Sequence, residues 1–78
     1  MHAGIRTLDI LVFKTSVHSP SDVVRLEDVL RTDERILRWN VDLEDVDKVL
    51  RIVSNTLTAP EVVRLLGDKG FLCEELPD

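Results

Sequence analysis

Two hydrophobic periods alternate along this chain. From Leu37 to Leu43 the period is two: Leu37, Trp39, Val41 and Leu43 on one side, Arg38, Asn40 and Asp42 on the other. That alternation predicts a half-buried strand. Over residues 20–31 the spacing is helical, with Val23, Leu26 and Leu30 in register and Val29 beside them; Val62, Leu65 and Leu66 repeat it over 59–69. Residues 8–16 are β-rich, carrying Leu8, Ile10, Leu11, Val12 and Phe13. After a polar turn, Glu44-Asp45-Val46-Asp47, residues 48–53 read as a third strand with Leu50 and Ile52 on one face, and 71–76 as a short fourth. The predicted order is β-α-β-β-α-β.

An internal repeat ties the two helices together. Ser19-Pro20-Ser21-Asp22-Val23-Val24-Arg25-Leu26 matches Thr58-Ala59-Pro60-Glu61-Val62-Val63-Arg64-Leu65 at a constant offset of 39 (58 minus 19), without a gap. Both copies have the chemistry of a helix start. A hydroxyl at the N-cap accepts a backbone N–H of the first turn. The acid three residues on, Asp22 or Glu61, reaches back to the N-cap N–H as in a capping box and sits at the positive end of the helix dipole. Pro20 at the first helical position lacks an N–H that would otherwise be orphaned. Gly70 suits a left-handed stop after the second helix.

Right-handed crossovers and a shared core turn this order into an α+β, ferredoxin-like fold: a four-stranded antiparallel sheet with both helices on one face. The face beneath the helices is expected to hold Ile10, Val12, Leu37, Trp39, Val41, Leu43, Leu50, Ile52, Phe71 and Cys73. The opposite face is expected to hold Leu11, Phe13, Ile36, Arg38, Val49, Arg51 and Val53, which is unusually apolar for a wet surface.

Composition narrows the function. With 78 residues the chain is one domain, and residues 1–7 are expected to fray. Fifteen acids against ten bases give a net charge of -5, which opposes nonspecific attraction to nucleic acid or anionic lipid. No stretch approaches the ~20 apolar residues of a membrane span, and the N-terminus lacks the plan of a signal peptide. The lone cysteine, Cys73, excludes an internal disulfide and a cysteine-based zinc site, and is expected to be a buried small hydrophobe in a cytoplasmic protein.

An apolar first strand leads into Val23, Leu26 and Leu30. The segment Trp39-Asn40-Val41-Asp42-Leu43-Glu44-Asp45 follows, and Gly70-Phe71 opens the last strand. In this order the chain, from about Ile10 to Leu76, resembles the heavy-metal-associated (HMA) domains of copper chaperones and metal pumps. The resemblance implies that fold and a metal loop between first strand and first helix. That family's Cys-x-x-Cys falls on Ser19 and Asp22, so the soft thiolates that select Cu(I) are absent.

His18 and Asp22 remain as donors for a harder ion, but a tight zinc site takes about four ligands. His18, Ser19 and Asp22 are no hydrolytic triad, because they lie within one helix start and two of them cap it. Three scattered glycines make no phosphate loop. The expectation is a non-enzymatic module without a cofactor that binds a protein partner or a second copy through its open sheet face, with Leu11, Phe13, Arg38, Arg51 and Val53 as contacts. The alternative is a metal-ion protein with an altered loop at His18 and Asp22.

Overall fold

In the computed structural model the described residues are 9–76. They form β1 (Asp9–Thr15), α1 (Pro20–Leu30), β2 (Arg38–Asp42), β3 (Val49–Ser54), α2 (Ala59–Gly67) and β4 (Cys73–Glu75). The four strands make one sheet in the order β2-β3-β1-β4, antiparallel at each contact. The elements follow the predicted order, and the expectation for residues 1–7 lies outside the described residues.

The helix starts form where the repeat places them. Ser19 is the N-cap of α1, its Oγ accepting the Asp22 N–H at 3.2 Å. The Asp22 carboxylate closes on the N–H of His18 at 3.2 Å, one residue before the N-cap. The longer Glu61 reaches the N–H of its own N-cap, Thr58, at 3.0 Å and also accepts that hydroxyl at 2.9 Å. At the far end of α2, Phe71 N–H donates to the Leu66 carbonyl and Gly70 N–H to the Gly67 carbonyl, both at 3.0 Å. These are the two bonds of a Schellman motif, with Gly70 at φ 88° in the left-handed position.

One cluster makes the core. Phe13, Leu50 and Ile52 from the sheet meet Leu26 and Leu30 of α1, Val62 and Leu66 of α2, and Val17, Leu57 and Phe71 from the connections. Trp39, Val41, Leu43 and Cys73 pack against it as expected.

The expected facing of β1 is reversed. Leu11 stands opposite Ile52 and Phe13 opposite Leu50, so both lie on the core side; Phe13 is fully buried, whereas Ile10 is 60% exposed. Ile10 to Phe13 are four consecutive apolar residues, and such a run has no alternation from which to choose a face. Pairing register makes the choice, because directly opposed residues share a side and a slip of one inverts every side chain. Leu37 and Ile36 are corrected too: Leu37 is 55% exposed and Ile36 packs on the core. The ladder begins at Arg38, so the alternation that holds within β2 does not govern the residues before it.

The repeat extends to buried polar groups. Thr15 and Ser54, again 39 apart, are the buried polar residues among those described. Thr15 Oγ1 donates to the Lys48 carbonyl at 2.7 Å and accepts the Val17 N–H at 3.3 Å. Ser54 Oγ accepts the N–H groups of Thr56 at 3.2 Å and Leu57 at 3.0 Å. Each hydroxyl satisfies the backbone where its strand turns toward a helix, avoiding the cost of a buried unpaired donor.

Candidate functional site

The loop between β1 and α1 brings His18 and Asp22 together. His18 Nδ1 lies 3.1 Å from Asp22 Oδ2 and 3.0 Å from the Ser16 carbonyl. Two acceptors on one nitrogen require the proton there, which leaves Nε2 as the free ring nitrogen. Asp22 also takes the His18 N–H, and its other oxygen lies 3.4 Å from Arg25 Nη1. The carboxylate is thus engaged in holding the helix start. Among the described residues no group of three or more His, Cys, Asp or Glu side chains is placed to hold a metal ion. Cys73 pairs in register with Thr15, and burial pushes its thiol up to about 12. A thiol so shifted is a poor nucleophile and a poor ligand at neutral pH.

The side of the sheet away from the core is built in rows set by register. Arg38, Val53 and Ile10 form the first row; Asn40, Arg51 and Val12 the second; Asp42 and Val49 begin the third, beside the paired Lys14 and Glu74. Of the buried helical side chains, Leu26, Leu30, Val62 and Leu66 belong to the cluster on the other side and Val29 lines a cleft against α2, so neither helix covers these rows. Ile10 is largely exposed, Val12 and Val53 are half-buried, and Val49 is buried without joining the main cluster. Lys14 reaches Asp47 at 3.8 Å. Among the described residues Arg38 and Arg51 have no ion-pair partner. Of the expected contact residues, Arg38, Arg51 and Val53 lie on this open face. Leu11 and Phe13 lie beneath it in the core, and Ile10 and Val12 take their places.

Two arginines have roles that sequence reasoning missed. Arg25 spans from α1 to the end of α2, its Nη2 donating to the Lys69 carbonyl at 2.6 Å and its guanidinium 4.7 Å from the centre of the Phe71 ring. This cation–π and hydrogen-bonded contact borders a cleft of about 330 Å³ between the helices, lined also by Asp28, Thr32, Asp68 and Lys69. Arg35 holds Asp33 through two nitrogens, at 2.9 and 2.7 Å, and Glu61 through a third. The hydrogen bond from Arg35 draws the Asp33 carboxyl below its usual range, and the same guanidinium, aided by Thr58, does so for Glu61. The recurrence of arginine at 25 and 64 was a visible signal for the first; Arg35 had none.

No helix among the described residues is long and apolar enough to cross a membrane. Comparison with protein-family models, with curated proteins and with solved structures finds no match.

Proposed function

We propose that this chain is a non-enzymatic interaction module on a ferredoxin-like scaffold, resembling an HMA domain without its thiol pair, that binds a protein surface through its open sheet face. The strand order, with both helices feeding one core, supports the scaffold. The observation that carries the function is the pair Arg38 and Arg51, without an ion pair among the described residues, set among Ile10, Val12 and Val53 on a face that neither helix covers. Arginine beside aliphatic groups is the composition of an interface more than of a solvated surface.

The test is sedimentation over a concentration range together with partner capture, comparing wild type with an Ile10→Glu/Val53→Glu double variant. The expected result is association or capture by the wild type that the variant loses while keeping its far-UV spectrum. A wild type that stays monomeric and captures nothing that the variant fails to capture would end the proposal.

Metal binding at the β1–α1 loop is a second proposal, with His18 offering Nε2 and Asp22, 3.1 Å from Nδ1, fixing the ring. Equilibrium dialysis against Zn²⁺ checks it: binding must occur and must fall in both His18→Ala and Asp22→Ala.

A further inference from the structure

The occupant of the open face can be specified from its charges. Arg38 and Asp42 stand at opposite ends of β2 on the same side, with Asn40 between them. Among the described residues Arg38 has no ion pair, and Asp42 uses one oxygen, Oδ1, to accept the Glu44 N–H at 3.0 Å. A strand with a cation at one end and an anion at the other is complementary to its own reverse.

Resting on the proposed use of this face, we infer that its occupant is a second copy of the chain, related by a two-fold axis that runs across the strands along the Asn40–Arg51–Val12 row. That axis reverses strand direction and lays the first row of one copy over the third row of the other. Arg38 then faces Asp42 of the second copy, twice by symmetry, as an isologous interface requires. Val53 comes over the row of Val49, which its own protomer already buries, and Val12 meets its own copy on the axis. Ile10 faces Lys14, whose aliphatic stem covers it while the ammonium stays with Asp47. The strands of the two sheets remain aligned, the common arrangement for face-to-face packing.

A second placement that keeps the strands aligned has its axis along them, between β3 and β1. It lays β2 over β4 and sets Asp42 against Glu74, acid on acid, with Arg38 facing no acid of the described residues. Of these two placements, charge favours the first. The cost of that choice is Arg51 near its own copy. Arg38 and Asp42 each lie one row away on the neighbouring strand in both protomers, so the Arg51 pair sits between charges of both signs.

Charge reversal tests the inference by sedimentation equilibrium. Arg38→Asp alone opposes two acids across the axis, and Asp42→Arg alone opposes two arginines; each is expected to weaken self-association by about tenfold or more. Mixed together, the two variants pair Asp with Arg at both positions and must form a heterodimer more readily than either self-associates. The chain carrying both reversals must regain wild-type association. Asp42→Asn keeps the acceptor for Glu44 and removes the charge, so its weakening separates the ion pair from any damage to the turn. A wild type that does not self-associate overturns the inference. So does association that Ile10→Glu abolishes but the charge reversals leave unchanged; in that case the open face stands as the binding surface and the axis falls.

Discussion

Val12 and Arg51 face one another across the β1–β3 ladder, and they are also the pair that the 39-residue offset interchanges. The two flanking pairs of this ladder exchange around them: Leu11 opposite Ile52 becomes Leu50 opposite Phe13. Val12 and Arg51 therefore mark a pseudo-two-fold axis through the sheet. The two halves of the chain repeat one design about it, each sending a strand into a hydroxyl-capped helix. Arg51 lies at the centre of the open face because it lies on this axis.

The facing of β1 has a direct stability consequence. Phe13→Ala removes a fully buried ring from the common core and is expected to cost about 3–5 kcal/mol. Ile10→Ser, on the open face, is expected to cost about 0.5 kcal/mol. Urea denaturation of the two variants checks this; similar losses would contradict the observed register.

Gly67 at the end of α2 and Gly70 in the turn after it should respond in opposite directions. Gly70 holds φ 88°, and an added Cβ would meet Arg25 Nη2 only at 3.7 Å, so Gly70→Ala is opposed by backbone conformation and not by space. The expected cost is about 1 kcal/mol. Gly67 is helical with nothing within 4 Å of an added Cβ, and Gly67→Ala should stabilise by about 0.5–1 kcal/mol. Thermal unfolding reads both.

Arg35 makes stability depend on acid pH. It lowers the folded-state pKa values of Asp33 and Glu61. A depressed carboxyl contributes stability above its unfolded value, near pH ~4, and loses it as the pH falls through the folded value. Stability should therefore decline with acidification in the wild type, and the decline should be shallower in Arg35→Gln. Denaturation curves at neutral pH and at successively lower pH give the comparison; identical slopes would show that the exposed clamp has no thermodynamic effect.

Cys73 should be chemically quiet in the folded chain. Its thiol is pushed up to about 12 by burial, so alkylation by iodoacetamide at neutral pH should be about a hundredfold or more slower than in denaturant. Fast labelling of the native chain would place the thiol in water.

What the sequence made legible were the features decided within a few residues. The N-cap positions Ser19 and Thr58, the capping-box acid Glu61 and the turn at Gly70 need only local backbone geometry, whereas Asp22 reaches the His18 N–H and not the expected N–H of Ser19. The alternation of β2 and β3 placed Trp39, Val41, Leu50 and Ile52 inward and Arg38, Arg51 and Val53 outward, as found. The facing of β1 was also encoded, since the offset carries Leu11 and Phe13 onto the inward Leu50 and Ile52. It was hidden from a period-based reading because Ile10 to Phe13 do not alternate.

By itself, then, the sequence determined which segments are helix and strand and where each helix begins, because capping, turn and periodicity are short-range. Only the tertiary structure decided which side of β1 meets the helices, which residues share the open face, and where Arg25 and Arg35 bind. Those outcomes depend on strand register and on contacts such as Arg25 with Lys69 and Arg35 with Glu61, separated by 44 and 26 residues. Contacts at that distance form only when the whole core closes, and no local pattern carries their energy.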